Sequence, residues 1–298
     1  MAAAPSPSAA PSVSAVMVTY HTGDWLLRGI ESLLAQPELG ELVLVDNGNP
    51  ASVRAAIAAR AAHEPRLLYR PLERNLGFAA ATNLGAREAC RPHLLLINPD
   101  SLMPPGGLGR FLAETRDLPR PWLAGCRVLD ADGRDQRGSR RGELNPASAI
   151  GELRRALGGR RVPGFNRHEE TLPDATLPMA TVSGACMLMP TEDYRAVGGL
   201  DEGYFLHVED IDFCLQVRRA GGGVYFVPGV ALLHRKGSSA AAPLWVEWQK
   251  TRGFARYFAK NFTASHGWLV TRALALAFGL RFLMRAPRLL LRSTHRTG

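Results

Sequence analysis

Three short segments carry carboxylates that could do chemistry in this chain. Asp46-Asn47-Gly48 and Asn98-Pro99-Asp100 each follow an apolar run typical of a buried strand, while Glu209, Asp210 and Asp212 open a helical pattern. A carboxylate can accept the imide N–H of a pyrimidine base, ligate Mg²⁺ or Mn²⁺ beside phosphate oxygens, or act as a general base. Asp46, Asp100 and Asp210 are the respective candidates for these tasks.

Each segment also has a structural interpretation. Asp, Asn and Gly are common turn formers, so residues 46–48 could form a simple turn. An aspartate such as Asp100 is common in a loop after proline. Acids in the first helical turn, with Arg218 and Arg219 in the last, complement the helix dipole. His234 follows an apolar strand pattern and is either a structural residue or a metal ligand.

A glycine-bearing turn leads into the next helical pattern, in the sequence NLGFAAATNLG. Gly77 would let the backbone approach a nucleotide, and Asn75 and Asn83 flank the helix start. Helix N-terminal amides favour anions, although the lysine-containing phosphate loop of nucleotide triphosphatases is absent from this sequence. A capped helix start explains the same residues equally well.

The elements that must position these residues alternate between strand and helix. The predicted strands are 13–18, 41–45, 66–69 and 93–97, and the predicted helices are 25–34, 51–62 and 78–90. This alternation is typical of a doubly wound α/β sheet, in which ligands bind at the carboxyl ends of the strands. The candidate residues at positions 46–48 and 98–100 follow such strand ends.

The second half of the chain is less regular. Residues 130–177 are rich in Arg, Gly, Pro and Asp and are interpreted as a mobile excursion with one helix over about 147–157. Apolar order returns at 180–189, followed by a helix over 209–220 and a strand over 224–227. The helix therefore places Glu209 and Asp210 at its amino end.

Charge and cysteine content exclude several classes of protein. The 298 residues carry a net charge of +9, but ten basic residues and no acid lie after Trp248, so the first 248 residues hold 26 basic and 27 acidic residues. A balanced body argues against a nucleic-acid-binding domain. The four cysteines are scattered without metal spacing, which favours reduced thiols. Residues 1–12 lack a signal-peptide pattern and are expected to be a disordered lead.

The C-terminal residues 246–298 are predicted to form a basic amphipathic helical tail. The stretch 268–284 is apolar except for Arg272 and Arg281. An interfacial helix on an anionic membrane surface fits this pattern best. Packing on the body and spanning the membrane are the alternatives. The stretch is short for a span, and the two arginines interrupt it.

Six segments occur in one order and carry a family resemblance: MVTY, LVLVDNGN, NLGFAAATN, LLLINPDS, VSGACMLMP and GGLDEGYFLHVEDIDF. Together they resemble the family-2 inverting glycosyltransferases, especially their bacterial rhamnosyltransferase-like subgroup. The likeness runs from Val13 to Ser239. It implies the GT-A fold, a Rossmann-like, doubly wound mixed sheet over 13–245 with a C-terminal helical extension.

The resemblance also implies a role for each matching residue. The nucleotide side would consist of Thr19, Tyr20, Asp46, Asn47, Asn75, Gly77, Asn83, Asn98 and Asp100. Asn98 stands where the family's D-x-D element has its first acid, so Asp100 would be the carboxylate ligand of Mg²⁺ or Mn²⁺. His234 would complete the coordination of the metal. Ser183, Gly184, Ala185 and Glu209 would face the acceptor and the sugars. Asp210 would be the general base.

The implied activity is inverting transfer of a sugar, L-rhamnose from dTDP-rhamnose, to a hydroxyl of a cell-surface glycan or lipid-linked saccharide. Such an enzyme of envelope polysaccharide biosynthesis would lie in the cytoplasm, peripheral at the inner face of the cytoplasmic membrane. Its partners would be a nucleotide-sugar donor, a saccharide acceptor and the membrane surface, and not nucleic acid. Galactofuranose or glucose donors, and a non-catalytic nucleotide-sugar-binding protein, are the alternatives.

Overall fold

A mixed sheet runs through the body of the protein in the computed structural model, which describes residues 11–156, 165–235 and 241–294. Most of the predicted lead, residues 1–12, lies outside the described residues. The strands are β1 (Val13–Thr19), β2 (Leu39–Asp46), β3 (Leu67–Pro71), β4 (His93–Ile97), β5 (Ser101–Leu102), β6 (Trp122–Leu129), β7 (Arg140–Arg141), β8 (Leu177–Pro178), β9 (Thr181–Val182), β10 (Cys186–Pro190) and β11 (Gly223–His234). The helices are α1 (Trp25–Leu34), α2 (Ala51–His63), α3 (Phe78–Glu88), α4 (Gly107–Thr115), α5 (Pro146–Ala156), α6 (Thr191–Val197), α7 (Glu209–Arg219) and α8 (Pro243–Thr294).

The main sheet has the strand order β3-β2-β1-β4-β10-β6-β11-β5, with β8 beside β11. Strands β3, β2, β1 and β4 are parallel, whereas β10 runs antiparallel to both of its neighbours. Every residue of β1 and β2 is buried, so both faces of the sheet are covered there. The predicted α/β class with a mixed sheet is confirmed.

Local sequence patterns explain the elements of the first half. In α1, Leu26, Ile30, Leu33 and Leu34 recur at helical spacing and form its buried face. The observed strands and helices differ from the predicted bounds by a few residues at most. Helix α3 ends at Glu88, because the residue before Pro92 disfavours helical backbone.

The described parts of the segment 130–177, residues 130–156 and 165–177, pack more tightly than their composition suggests. Helix α5 confirms the helix predicted over 147–157. Ahead of it, β7 pairs with β9 and buries Arg140 and Arg141, which are 2% and 8% exposed. The sequence interpretation did not foresee buried arginines in this segment, and its mobility stays a prediction.

Helix α8 is a helical hairpin, broken at Gly267 by a non-helical backbone with φ 81° and ψ 158°. The two arms run antiparallel, since Trp248 contacts Phe282 and Phe254 stacks on Phe278 at a centroid distance of 4.5 Å. In the first arm, Tyr257, Phe258 and Phe262 join an apolar cluster with residues of the body, including Tyr204, Val208 and Ile211. Part of the predicted tail is therefore core.

The second arm presents an apolar stripe to the surroundings. The stripe consists of Leu269, Leu276, Leu280, Leu283, Met284 and Leu290, which are 52–70% exposed. By length and composition alone, Pro243–Leu290 passes as a membrane-crossing helix, although little of its most apolar part is buried in the protein. The hairpin breaks that length in two.

Much of the positive charge of the hairpin is neutralised within the protein. Arg281 and Arg285 pair with Glu247, at 2.7 and 3.2 Å. Lys260 donates to Asp201 and Asp212, both at 2.7 Å. The expectation that all ten basic residues of the tail serve a membrane surface is therefore too simple.

Lys260 should matter for stability, because Asp212 is 1% exposed and the ammonium group is the charged partner of its carboxylate. We expect Lys260→Met to lower the free energy of unfolding by about 2 kcal/mol, since a buried carboxylate then loses its counter-charge. Urea denaturation measures the change. Arg252→Met, at an exposed position of the same arm, is the control; equal stability of both variants would contradict the assignment.

Candidate active site

The carboxyl ends of β1 and β2 meet at Thr19 and Asp46, which are paired in the parallel register. Asp46 is fully buried, and its Oδ1 accepts hydrogen bonds from the amides of Gly48 and Asn49 at 3.0 and 2.8 Å. Its Oδ2 accepts the hydroxyl of Tyr69 at 2.7 Å. Asp46 thus organises the turn at this edge of the sheet. Its contact with the base of a nucleotide stays a prediction.

Asn49 joins the two strand ends and was missed by sequence reasoning. Its Nδ2 donates to Thr19 Oγ1 at 3.2 Å and to Asp46 Oδ1 at 3.0 Å, and its Oδ1 accepts the amide of His21 at 2.7 Å. His21 has a left-handed φ of 50°, next to the half-exposed Tyr20. In the sequence Asn49 looks like one more turn residue, so no signal singled it out.

The loop after β3 is held by asparagines. Asn47 Oδ1 accepts the amide of Leu76 at 2.8 Å, and Asn75 Oδ1 accepts the amide of Gly77 at 2.9 Å. Gly77 has φ 87°, and a Cβ there would lie 2.8 Å from the carbonyl oxygen of Phe205. Only glycine fits this turn, which brings the predicted nucleotide side against the segment that leads into α7.

Asn83 fastens α3 to the segment before α7. Its Nδ2 donates to the carbonyl of Leu200 at 2.8 Å and to Glu202 at 3.0 Å, while its Oδ1 accepts the Leu200 amide and the Tyr194 hydroxyl. These contacts give Asn83 a structural task. Its place beside a nucleotide stays a prediction.

The loop after β4 and the end of β11 form a polar cluster. His234 Nδ1 lies 2.9 Å from Gln136 Oε1, so the acceptor assigns the ring proton to Nδ1. The lone pair of His234 Nε2 then faces Asp100 Oδ1 at 3.1 Å, with Asn98 Nδ2 at 3.3 Å. Two acceptors this close call for a proton or a cation between them.

The donor set of this cluster suits a divalent cation. Asp100 is 7% exposed, and its carboxylate with an imidazole lone pair matches Mn²⁺ or Mg²⁺ chemistry. Among the described residues, no group of three or more His, Cys, Asp or Glu side chains could hold a metal. Further ligands would therefore come from a bound phosphate or from water, as Mg²⁺ sites often use.

Helix α7 begins from a strained turn. His207 and Val208 both have left-handed backbone, with φ of 67° and 75°. For a β-branched residue such as Val208 this is a rare conformation that costs about 1–3 kcal/mol. Gly253 of α8 lies against the turn, since a Cβ there would be 2.9 Å from Val208. The arm of the hairpin supports the turn that aims Asp210.

Asp210 is held by three donors. Its Oδ2 accepts Arg141 Nη2 at 2.5 Å and the amide of Gly184 at 3.2 Å, and its Oδ1 accepts the amide of Ile211 at 2.8 Å. Burial raises the pKa of Asp210, but the charge and hydrogen bond of Arg141, together with the amides of Gly184 and Ile211, outweigh burial and bring that pKa below its usual value. Asp210 therefore favours its ionised form.

Glu209, the residue before Asp210, favours its protonated form. It is 7% exposed, and its Oε2 has no hydrogen-bond partner among the residues that the structure describes. Burial, and then the charge of Asp210, raise the pKa of Glu209 well above its usual value. The pair thus favours one negative charge on Asp210 and a proton on Glu209.

A short backbone segment joins the polar cluster of Asn98, Asp100 and His234 to Asp210. The amide of Asn98 donates to the carbonyl of Ala185 at 3.0 Å, and the preceding residue, Gly184, donates to Asp210. A Cβ on Gly184 would lie 3.0 Å from Asp210 Cβ, so glycine permits the close approach. The structure therefore brings the predicted residues 98–100, 183–185 and 209–210 together, and adds Arg141, which no sequence signal indicated.

The raised pKa of Glu209 predicts a pH-dependent stability. The folded state favours its proton, so this contribution is full below the ordinary value of 4.5 and is lost as pH rises through the folded-state pKa. We expect Glu209→Gln to gain about 1–2 kcal/mol over the wild type between pH 5 and pH 8. Urea titrations at both pH values measure it. Glu169→Gln, at an 84% exposed side chain, should track the wild type; the same behaviour from Glu209→Gln would contradict the assignment.

Known proteins resemble the chain in sequence and in fold. It is 30% identical, over 75% of its length and 76% of the other protein, to N-acetylglucosaminyl-diphospho-decaprenol L-rhamnosyltransferase of Mycobacterium tuberculosis. A mannosyltransferase from Pyrobaculum calidifontis, solved with GDP-Man and Mn²⁺, superposes with a TM-score of 0.58 at 16% identity, covering 99% of this chain and 78% of that one.

GalNAc-T7, solved with UDP, GalNAc and Mn²⁺, superposes with a TM-score of 0.60 at 17% identity. The match covers 83% of this chain and 47% of GalNAc-T7, so the chain spans about half of that protein. These structures support the expected GT-A fold. Residues 14–189 match the family described as glycosyl transferase family 2. The chain therefore belongs to glycosyl transferase family 2, as a rhamnosyltransferase-like enzyme of glycosyl transfer.

Proposed function

We propose that the protein is an inverting rhamnosyltransferase that moves L-rhamnose from dTDP-rhamnose to a hydroxyl of a lipid-linked saccharide or growing surface glycan. The observation that carries the proposal is the wall formed by Gly184 and Ala185, which joins Asp210 on one side to Asn98 on the other. Transfer from a nucleotide diphosphate requires a base for the acceptor hydroxyl and a stabilising charge for the leaving diphosphate. Asp210 would supply the first, and a cation bound at the cluster of Asn98, Asp100 and His234 would supply the second.

The reaction is a single displacement. Asp210 takes the proton of an acceptor hydroxyl as that oxygen attacks the anomeric carbon of the sugar. The bond from the anomeric carbon to the diphosphate oxygen breaks, the electron pair leaves with the nucleotide diphosphate, and the configuration inverts. Arg141 keeps Asp210 ionised for this step, while Glu209, in its neutral form, adds no second negative charge beside it.

Asp100 and His234 would hold Mg²⁺ or Mn²⁺, which supplies charge stabilisation for a leaving diphosphate. Asn98 lies beside them through its amide group. Gly77 packs directly against the carbonyl of Phe205, which would fix the course of the loop that faces the nucleotide. The choice of rhamnose is supported by the rhamnosyltransferase among the relatives.

A lipid-linked acceptor is supported by the name of that same relative, which includes a diphospho-decaprenol group. The apolar stripe of α8 gives the chain a surface of matching chemistry, because exposed leucines insert into the boundary of a membrane. The enzyme would then lie peripherally at the inner face of the cytoplasmic membrane, with its hairpin on the lipid.

Asp210→Asn tests the proposed base. We expect turnover to fall by roughly 10²–10⁴-fold, because the amide cannot take a proton, while nucleotide binding persists. The measurement is donor hydrolysis and transfer across a panel of rhamnose, galactofuranose and glucose nucleotides, each with Mg²⁺ and with Mn²⁺.

Asp117→Asn, at an exposed carboxylate after α4, is the matched control and should keep wild-type turnover. Wild-type turnover of Asp210→Asn would remove Asp210 as the base. Preference of the wild type for a donor other than dTDP-rhamnose would overturn the proposed sugar.

The triple variant Leu276→Gln, Leu280→Gln, Leu283→Gln tests the membrane surface. All three side chains are more than 60% exposed, so the fold should persist while affinity for anionic phosphatidylglycerol vesicles falls roughly 100-fold. Vesicle co-sedimentation measures it. Removing α8 entirely is a poorer test, because Tyr257 and Phe258 would leave the core with it.

Leu27→Gln, at a 43% exposed position on α1, is the control for the triple variant. It should bind vesicles like the wild type. Unchanged vesicle binding by the triple variant, or no vesicle binding by the wild type, would contradict the proposed membrane surface.

A further inference from the structure

Arg141 reaches the base from a distant part of the chain. It lies on β7, 69 residues before Asp210, and the pairing of β7 with β9 sets it beside α7. Its Nη2 donates both to the carbonyl of Val182 at 2.6 Å and to Asp210 Oδ2. The guanidinium also lies over the ring of Phe165, at 5.7 Å from its centroid. These contacts fix the direction from which Asp210 is held.

A purely structural explanation of this ion pair is weak. Arg141 is 8% exposed, and removing two charges from water costs about as much as their attraction returns, so such pairs add little to stability. In addition, Arg141 Nε has no hydrogen-bond partner among the described residues. The Nε atoms of Arg140 and Arg218 also lack a partner there, so the feature that sets Arg141 apart is its contact with Asp210.

The contacts of Asp210 divide its two oxygens between different tasks. Oδ2 is bound by Arg141 and by the amide of Gly184, whereas Oδ1 receives the amide of Ile211 from its own helix. Two of these three donors are backbone amides, and Arg141 is the charged donor with the shortest hydrogen bond, 2.5 Å against 2.8 and 3.2 Å. Arg141 therefore holds Oδ2 most strongly.

We propose that Arg141 is a positioning residue for proton transfer: it anchors Oδ2 of Asp210, and Oδ1 is the oxygen that takes the acceptor proton. This inference rests on the proposed function of Asp210 as the base. In the step, the O–H bond of the acceptor breaks and a new O–H bond forms at Oδ1. An electron pair of the acceptor oxygen forms the bond to the anomeric carbon, and the bond from that carbon to the diphosphate oxygen breaks, with its electron pair leaving on the nucleotide diphosphate.

The charged surroundings of Asp210 make the pH dependence of the reaction a readout. Arg141 faces it from β7, Glu209 precedes it on α7, and the buried thiol of Cys214 lies near it. From α8, Lys260 is engaged by Asp201 and Asp212. Removing Arg141 takes away its charge and its hydrogen bond and leaves only the amides of Gly184 and Ile211 to offset burial, so the pKa of Asp210 should rise.

The experiment compares Arg141→Gln and Arg141→Lys with the wild-type full chain, using the donor that the panel selects. For Arg141→Gln we expect kcat to fall about 100-fold, as for a misplaced catalytic group, with the donor KM changed by less than about threefold. The acidic limb of the kcat–pH profile should move to higher pH, because activity needs ionised Asp210. Arg141→Lys should restore part of both effects, since it keeps the charge and loses the planar fork.

Arg218→Gln is the matched control, because it breaks another ion pair between α7 and the same segment, to Glu143 at 3.2 Å. It should leave kcat and the acidic limb unchanged. The inference is overturned if Arg141→Gln keeps the wild-type kcat, if its acidic limb stays in place, or if Arg141→Lys recovers nothing. An active Asp210→Asn would instead overturn the proposed base, whereas an inactive Asp210→Asn beside a fully active Arg141→Gln would overturn only the role of Arg141.

Discussion

Burial of three carboxyl groups on the first turn of α7 is the constraint on which the site depends. Glu209 and Asp212 are 7% and 1% exposed, and the side chain of Asp210 is 16% exposed. An ionised carboxylate removed from water costs several kcal/mol unless it is paired. Each group meets this cost differently: Glu209 favours its proton, Asp210 binds Arg141, and Asp212 binds Lys260. Strand β7, which supplies Arg141, and the hairpin, which supplies Lys260, therefore both support the first turn of α7.

The same turn links the two halves of the site. The carbonyl of Phe205 accepts the amide of Phe78 at 2.7 Å, so the loop on the nucleotide side and the approach to α7 share a hydrogen bond. Strain at His207 and Val208 is tolerated because Gly253 and the hairpin pack against them. The orientation of Asp210, the proposed base, thus depends on packing at a distance, as is common where backbone strain is stored at functional sites.

Sequence reasoning placed the candidate residues at one edge of the sheet but did not foresee the contacts between them. Asp46 and the residues 98–100 lie at strand ends as expected, because alternation of strand and helix fixes where carboxyl ends meet. The place of Asn83 beside a nucleotide stays a prediction, and the hydrogen bonds of its amide to Leu200 and Glu202 were not foreseen. An asparagine looks the same in sequence whether its amide serves a ligand or a loop, since the partner is chosen by chain segments far away.

Local periodicity and composition in the sequence were enough to determine the α/β class, the place of the acidic pair at a helix start and the amphipathic character of the tail. They act over a few residues, which is the range of helix and strand patterns. Only the tertiary structure decided that Arg141 and Lys260 serve α7, and that Arg281 and Arg285 serve Glu247. The physical reason is that a charge carries no sequence signal for its partner. Which buried carboxylate it neutralises is settled by the packing that brings distant segments together.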